Sequence, residues 1–216
     1  MGRTERKEKE KEIRRNDIID AAERVFLKKA FTATMEDIAA ETEFTKKTIY
    51  SYFGSKEEIY FEIMIRGYHI MLDKIQTSLL NVQSNNAEGK IYAIASAMFD
   101  FKKENPVYFK AIMEYENEEA DFIKSASVSS KDTCYQIGEE ILIILKNIII
   151  EGQKEGSLRE DLDPDKTTLL LWMFMLGVFH TIKKKQRYIL HYHGADEKEL
   201  LEEAVNLLWK SIATCL

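Results

Sequence analysis

The stretch from Thr34 to Lys56 constrains the fold more than any other part of the chain, because it encodes two short helices joined by a tight corner. In each helix apolar residues recur at the i, i+3, i+4 spacing of a single buried face. The apolar positions are Met35, Ile38 and Ala39 in the first helix and Ile49, Tyr52 and Phe53 in the second. Ala39 is small at the point where the two helices are expected to cross.

Hydroxyl residues stand where both of these helices begin. Thr34 precedes the first apolar face and has the side-chain oxygen that an N-cap needs. Asp37 follows three residues later, as a shorter substitute for the usual glutamate of a capping box. Thr45 precedes the second helix in the same way. The sequence therefore predicts helix starts at these two threonines.

The remaining face of the second helix is polar or polar-tipped. A short helix that buries one face and presents lysines, hydroxyls and a tyrosine on the other suits the major groove of DNA. These polar positions are Lys46, Lys47, Thr48, Tyr50 and Ser51.

The sequence from Ile13 to about Tyr60 resembles the TetR family of transcriptional regulators. The matching positions are Ala30-Phe31, where the family has Gly-Phe or Gly-Tyr, then Thr34, Ile38-Ala39, Thr45-Lys46 and Ile49-Tyr50-x-Tyr52-Phe53-x-Ser55-Lys56-Glu57-Glu58. One departure is Glu43, which stands where the turn of the family usually has glycine. If that corner requires a positive φ, glutamate there costs about 1 kcal/mol.

The resemblance implies a set of DNA-contacting residues in and around the second helix. Lys47 and Thr48 are the best candidates for base edges, while Thr34 and Lys56 are expected to hold the phosphate backbone from flanking helix N-termini. Arg14 and Arg15 are further candidates for phosphate contacts. The full predicted set is Thr34, Thr45, Lys46, Lys47, Thr48, Tyr50, Ser51, Tyr52 and Lys56.

Charge alone does not predict a nucleic-acid partner, because the 216-residue chain has a net charge of −6. Residues 1–60 hold 13 Lys/Arg and 13 Asp/Glu, which leaves 18 and 24 of the total 31 and 37 for the remainder. The first sixty residues are therefore neutral, and any attraction to DNA depends on the local arrangement of their cations.

The composition favours an all-α protein, since there are only two prolines and nine glycines with 45% hydrophobic residues. We expect a three-helix, helix-turn-helix domain over residues 1–60 and a larger helical domain over 61–216. The first helix is predicted over Ile13–Lys29. The charged segment 1–12 is either a frayed helix extension or disordered arm, or an arm that reaches a neighbouring groove with Arg3, Arg6 and Lys7.

The last two helices are predicted near 164–185 and 196–213, separated by a loop over 186–194. Trp172, Phe174, Met175, Leu176 and Phe179 spread over more than one helical face. One face therefore packs inward and another is left for a partner. The resemblance implies a homodimer formed through these two helices, with two reading helices on a palindromic operator in double-stranded DNA.

The middle helices are expected to enclose a pocket for a small effector, which the resemblance implies would release the operator. Methionine and aromatic residues suit an apolar or amphipathic ligand. For any single one of these residues, a plain core position is the alternative that the sequence favours. The predicted lining is Tyr92, Met98, Phe101, Tyr108, Met113, Phe122 and Phe179.

Other classes of function have little support in the sequence. An enzyme with a helical active site is one alternative, but no glycine-rich phosphate loop, Gly-x-Ser-x-Gly motif or metal-ligand spacing occurs. A helical interaction module that has lost DNA binding is another, supported only by Glu43. His191-x-His193 and the distant Cys134 and Cys215 match no metal site, so we expect no metal and no cofactor. The longest apolar run is eleven residues, which predicts no membrane partner and a cytoplasmic protein.

Overall fold

The computed structural model describes residues 2–29, 32–84, 86–115 and 128–214. Within these ranges the chain forms nine α-helices and one isolated bridge between Leu158 and Ala213. The predicted all-α fold is therefore confirmed. The helices are α1 (Arg3–Lys29), α2 (Met35–Glu41), α3 (Lys46–Tyr50), α4 (Lys56–Leu80), α5 (Ala87–Glu104), α6 (Pro106–Tyr115), α7 (Val128–Lys154), α8 (Pro164–His193) and α9 (Glu197–Ile212).

The first three helices share a core that buries most of the predicted apolar positions, whereas Ala39 and Tyr52 are half-buried. Burial of each isoleucine or phenylalanine contributes roughly 1.5–3 kcal/mol, so this small group accounts for most of the local stability. The buried residues of α1 are Ile18, Ile19, Ala22, Val25 and Phe26, and those that meet them from the helix-turn-helix are Met35, Ile38, Ile49 and Phe53.

Contacts divide the chain into two compact units. Unit 1 contains residues 1–70 and 102–137, and unit 2 contains 71–101 and 138–216. The sequence places a boundary at residue 60, whereas these contacts group α6 and the first part of α4 with the helix-turn-helix. The predicted boundary at residue 60 between a DNA-binding and an effector-binding domain therefore stays a prediction.

Helix α6 is fastened to unit 1 by polar contacts with the backbone. The Tyr60 hydroxyl donates to the Ala111 carbonyl at 2.8 Å, and the Tyr60 ring meets Phe26 edge-on at 4.9 Å. Lys110 Nζ donates to the Leu27 carbonyl at 3.0 Å, where it satisfies an otherwise open carbonyl near the end of α1. These contacts hold α1, α4 and α6 together.

Arg66 on α4 is the centre of a second set of contacts in unit 1. Its guanidinium donates to Asp20 at 2.5 Å, to Glu23 at 2.8 Å and to Asn16 at 2.9 Å. The Tyr108 hydroxyl of α6 donates to the same Glu23 carboxylate at 3.0 Å. Burial raises the pKa of Tyr108 to about 12, and the adjacent Glu23 charge adds to this effect. The phenol therefore remains a neutral donor at physiological pH.

Helix α8 continues well past the three lysines at 183–185, so the prediction of a loop over 186–194 is wrong. The segment Gln186–His193 contains no helix-breaking residue and remains helical to His193. Gly194 then ends the helix with φ 65°, a left-handed conformation that glycine adopts without steric cost. The predicted start is confirmed, because the Asp163 side chain accepts from the Lys166 amide at 2.9 Å and Pro164 is the first helical residue.

Helix α1 begins ten residues earlier than predicted. It starts at Arg3, and the described side chains of residues 4–12 are exposed. The charged segment is therefore an extension of the helix, which is one of the alternatives predicted from the sequence. Alternating Lys and Glu favour a solvated helix because neither residue breaks it.

We expect Gly67→Ala to destabilise the protein, because a Cβ at this position would lie 2.8 Å from Tyr108 Cβ. Displacing α6 from α4 should cost about 1 to 3 kcal/mol of unfolding free energy. The control is Gly138→Ala in α7, where a Cβ would meet nothing within 4 Å. There the change should stabilise by about 0.5 to 1 kcal/mol. Urea denaturation at one fixed protein concentration measures both, and equal effects would contradict the close approach at Gly67.

Candidate nucleic-acid interface and ligand cavity

A complete capping box forms the start of α2. The Thr34 hydroxyl accepts from the Asp37 amide at 3.2 Å, and Asp37 Oδ2 accepts from the Thr34 amide at 3.1 Å. Lys29 Nζ reaches Asp37 Oδ1 at 2.6 Å, and this hydrogen bond is the main reason that the pKa of Asp37 is lowered. The carboxylate therefore stays ionised, which favours its position at the positive end of a helix.

The corner between α2 and α3 is held by Thr42. This residue follows the last helical position in an extended conformation, with φ −108° and ψ 169°. Its hydroxyl accepts from the Phe44 amide at 3.1 Å. A threonine hydroxyl thus orders the turn that contains Glu43.

Thr45 caps α3 as predicted. Its hydroxyl accepts from the Thr48 amide at 3.2 Å and lies 2.9 Å from the Thr48 hydroxyl. The Ser51 hydroxyl donates to the Thr48 carbonyl at 2.6 Å at the opposite end. A helix of only five residues has little stability of its own, so these terminal hydrogen bonds matter.

Helix α3 buries one face and exposes the other. Ile49 is fully buried and Phe53 is 1% exposed, whereas Tyr50 is 47% exposed. Thr48 and Tyr52 are half-buried between these extremes. The structure therefore brings one set of predicted DNA-contacting residues to a common exposed surface, formed by Thr45, Lys46, Lys47, Tyr50 and Ser51.

The two adjacent lysines of α3 differ in their electrostatic surroundings. Lys46 Nζ forms a hydrogen-bonded ion pair with Glu36 of α2 and lies 5.8 Å from the centre of the Tyr50 ring. This hydrogen bond raises the pKa of Lys46 and lowers the pKa of Glu36. Lys47, in contrast, is exposed and has no side-chain partner among the described residues. Lys47 is therefore available to an external anion without breaking an internal contact.

The remaining predicted cations have internal contacts of their own. Lys56 Nζ donates to the Ala33 carbonyl at 3.1 Å, beside the Thr34 cap. Arg15 lies over the Phe53 ring at 4.9 Å and pairs with Glu62 at 2.6 Å, so it stabilises unit 1. Arg14 is exposed on α1. Sequence reasoning alone could not distinguish these roles, because the partners of Lys56 and Arg15 lie elsewhere in the chain.

Unit 2 contains a small apolar cavity of about 30 Å³. By its size it has room for about one water molecule, although its walls offer almost no polar partner. Its lining comes from α5, α7, α8 and α9 and consists of Ile91, Ile94, Ala95, Met98, Ile141, Leu145, Leu171, Trp172, Met175, Val205 and Leu208.

Most of the predicted ligand-binding residues do not line this cavity. Met98 lines it, and Tyr92 lines an adjoining groove in the same unit. Phe101 and Phe179 are buried in unit 2, while Tyr108 and Met113 belong to unit 1. Phe122 lies outside the described residues, as does Phe31 of the helix-turn-helix motif. Trp172 and Leu208 are lining residues that the prediction missed, although both lie on helices with a clear apolar face.

Helix α8 leaves part of its apolar surface exposed. Leu171, Met175 and Phe179 are buried, as expected for the inward face. The opposite side exposes Leu170 to 64% and Met173 to 59%, together with Leu169 and Phe174. Gly177 lies on this side with nothing within 4 Å of a Cβ built upon it. An exposed apolar surface around a glycine allows another helix to approach closely.

Two further properties concern only the residues that the structure describes. Among them, no helix combines the length and apolarity needed to cross a bilayer. The same part of the chain has no group of three or more His, Cys, Asp and Glu placed to hold a metal ion. His191 instead packs edge-on against Tyr192 at 4.7 Å.

The capped α2–α3 corner and its exposed polar helix lie in a region that the chain shares with known regulators. The family model for bacterial regulatory proteins of the tetR family matches residues 18–63. The HTH-type transcriptional repressor NicS of Pseudomonas putida is 26% identical over 150 residues, which cover 68% of this chain and 67% of NicS. Residues 18–63 therefore match the helix-turn-helix region of the TetR family.

Other relatives agree with this assignment. The HTH-type transcriptional repressor DhaR of Mycobacterium sp. strain GP1 is 26% identical over 159 residues, or 70% of this chain and 73% of DhaR. The structure of the transcriptional regulator FadR from Bacillus subtilis in complex with stearoyl-CoA has a TM-score of 0.69 over 91% of this chain and 98% of that chain, at 19% identity. As the family model and the curated relatives indicate, the protein is a transcriptional regulator with a helix-turn-helix domain, and not an enzyme.

We expect Thr45→Ala to loosen α3 without unfolding unit 1. Loss of the N-cap hydroxyl removes the hydrogen bond to the Thr48 amide and should cost about 1 kcal/mol. Amide hydrogen exchange at Thr48 measures this directly and should become faster, while exchange at Ile18 in the core of α1 stays slow. Thr45→Ser retains the hydroxyl and is the matched control. Equal protection of Thr48 in all three proteins would show that the cap is dispensable.

Proposed function

We propose that this protein is a ligand-responsive repressor of the TetR family that binds a palindromic operator as a homodimer and is released by a small apolar or amphipathic effector. The observation that carries this proposal is the exposed polar face of α3, held by caps at Thr34 and Thr45. NicS and DhaR, both named as repressors, support repression over activation. A regulator of this kind acts on the chromosome, so we expect it in the cytoplasm.

In this proposal α3 enters the major groove with its exposed side chains towards the bases. Lys47 and Thr48 read base edges, while Thr45, Lys46, Tyr50, Ser51 and Tyr52 contact mainly phosphate and sugar. Thr34 and Lys56 contact the phosphate backbone from the starts of α2 and α4. To contact DNA, Lys46 must give up part of its ion pair with Glu36. The strongest electrostatic contribution is therefore expected from Lys47.

Dimerisation supplies the second reading helix. One helix of five residues contacts too few bases for specificity, whereas two helices held about one DNA turn apart read a palindrome. We assign the dimer contact to the exposed apolar side of α8 together with α9, where Leu207 is also exposed. A two-fold axis that brings Leu170 and Met173 against their symmetry mates would bury this surface in an isologous interface.

The effector is proposed to bind within unit 2 and to shift a two-state equilibrium. The sequence-derived candidates Tyr92, Met98, Phe101, Tyr108, Met113, Phe122 and Phe179 remain proposals. Helix α4 begins at Lys56 in unit 1 and ends at Leu80 in unit 2, so a single helix connects the two units covalently. A ligand that prefers one position of α4 lowers operator affinity by its differential affinity for the two states.

The basic test is the recovery of a DNA site. Immobilised protein is incubated with random and genomic fragments, and the retained fragments are sequenced over several rounds. A repressor of this type should recover a palindrome whose half-sites lie about one helical turn apart. Retention of DNA without any shared sequence would support the alternative of a helical module that has lost specific DNA binding.

We expect Lys47→Ala to weaken operator binding more than Lys46→Ala, because only Lys46 already pairs with an internal carboxylate. Loss of one phosphate or base contact at Lys47 should reduce the slope of log affinity against log salt by about 1. Fluorescence polarisation of a labelled operator between low and high salt measures this slope. Lys154→Ala, which removes an exposed lysine at the end of α7 in unit 2, is the control. A larger loss in Lys46→Ala would contradict the assignment.

We expect Leu170→Glu to convert the dimer to a monomer, because it places a charge at the centre of the proposed interface. Operator affinity should fall by at least about a hundredfold, since one half of the recognition surface is lost. Sedimentation equilibrium gives the mass, and circular dichroism verifies that the helices persist. Ile143→Glu is the control, because Ile143 is a 52% exposed apolar residue on α7. An unchanged dimer in Leu170→Glu would exclude this face of α8.

A further inference from the structure

The last third of α8, residues 183–193, differs in charge from the chain around it. Lysine occupies all three positions 183–185 and Arg187 follows, whereas no acidic residue occurs from 166 to 195. Residues 61–216 as a whole hold 18 Lys/Arg and 24 Asp/Glu, so this segment is positive within an acidic part of the chain. We call residues 183–193 the basic end of α8.

The cations of the basic end are exposed, and most of them have no internal counter-ion. All four side chains are exposed. Lys184, Lys185 and Arg187 form no hydrogen bond, ion pair or ring contact with any residue that the structure describes. Other lysines of unit 2 are neutralised, since Lys90 pairs with Glu151 at 2.7 Å and Lys146 pairs with Asp165 at 2.6 Å. The positive charge of the basic end is therefore available to an external anion.

Helical spacing places three of the four cations on one side of α8. Lys183, Lys184 and Arg187 stand at i, i+1 and i+4, so they lie within an arc of about 100° around the helix axis. The exposed His191, four residues after Arg187, lies in the same arc. Lys185 points to a different flank, about 160° from Arg187. The result is a strip of polar and positive side chains about 12 Å long.

The exposed apolar side chains of the same segment do not form a single face. Leu190 is 57% exposed, whereas Tyr188 and Tyr192, each two residues away from it, are 54% and 70% exposed. Residues two positions apart lie about 200° apart on a helix, so the tyrosines and the leucine point to opposite sides. A helix that lies in a bilayer interface needs one continuous apolar face. An anionic membrane therefore suits the basic end of α8 poorly.

The phosphate backbone of DNA fits this strip better. Double-stranded DNA carries one negative charge per about 1.7 Å of its axis, so three cations spread along a helix meet phosphates in any register. Tyr188 follows Lys184 by four positions, and a tyrosine hydroxyl also donates to phosphate. Residues 1–60 are neutral overall, so the helix-turn-helix region lacks the excess of positive charge that attracts DNA. The basic end of α8 can supply that excess.

We propose that the basic end of α8 is a second DNA-contacting surface, in which Lys183, Lys184 and Arg187 bind phosphates without reading sequence. This surface is separate from α3 and goes beyond the proposed repressor function, because it requires neither a palindrome nor an effector. It also extends past the apolar surface assigned to the dimer. Lys184 follows Met173 by eleven residues, which is about 16 Å along the helix axis.

The test measures binding of the full-length protein to a labelled duplex of random sequence by fluorescence polarisation, over a range of about 50 to 200 mM salt. Lys184→Gln combined with Arg187→Gln removes two phosphate contacts. It should lower the slope of log affinity against log salt by about 2 and weaken binding at low salt by about tenfold or more. An unchanged slope in this double variant overturns the proposal.

A matched control separates a local contact from the effect of net charge. Lys154→Gln combined with Lys166→Gln removes the same two charges from exposed sites of unit 2, outside the basic end. It should leave both the affinity and the slope unchanged, and circular dichroism verifies that the helices persist in every variant. Equal losses in the two double variants would show general attraction and reject the surface.

Two other anions test the choice of partner. Phosphatidylglycerol vesicles represent a membrane, and polyglutamate represents an acidic protein segment. For both, Lys184→Gln with Arg187→Gln should behave as the Lys154→Gln, Lys166→Gln control does. A selective loss of vesicle or polyglutamate binding, with duplex binding intact, excludes DNA as the partner.

The α3 variant Lys47→Ala lets the two DNA-binding proposals fail separately. Its remaining affinity for the random duplex should fall further when Lys184→Gln and Arg187→Gln are added, since distant contacts contribute additively. A protein that recovers no palindrome but shows this loss rejects the repressor function and leaves the surface on α8. Recovery of a palindrome by a protein that is insensitive to the α8 changes leaves the repressor function and rejects the surface.

Discussion

Burial of Ile49 and Phe53 in the core of unit 1 is the interaction on which the presentation of α3 depends. Both side chains are almost completely buried, as are Ile18, Ile19 and Ala22 of α1. Because successive residues of a helix are rotated by 100°, fixing this apolar face fixes the direction of every polar side chain on the other. The five residues of α3 have too little intrinsic stability to hold that orientation, so packing and the Thr45 cap must supply it.

Much of the helix-turn-helix could be predicted from sequence because its determinants are local. The caps at Thr34 and Thr45 lie within three residues of the amides that they satisfy, and the apolar faces follow a fixed period. The end of α8 shows where local reasoning fails. Three lysines are typical of a helix C-terminus, but they do not end a helix, and the glycine that does so lies nine residues beyond them.

The contacts that sequence could not predict join distant parts of the chain. Gly67 in α4 lets Tyr108 approach closely, 41 positions later in the sequence. Likewise, nothing in the motif distinguishes Lys46 from Lys47, because the distinction arises from Glu36 on the preceding helix. The same limit applies to the ligand cavity, where Met98 was predicted but Trp172 was not, since the lining depends on how four helices pack.

The small volume of the inner cavity has a consequence for regulation. A space of about 30 Å³ cannot enclose an effector, so the effector of the proposed function would have to enlarge it. Enlargement would separate the helices that line the cavity and break apolar contacts, which would consume part of the binding free energy. Such a ligand would prefer a state in which these helices have moved apart, and that preference is what a population shift requires. A cavity that is nearly closed without ligand makes unit 2 sensitive to its occupant, whereas a cavity already open to full size would bind without favouring either state.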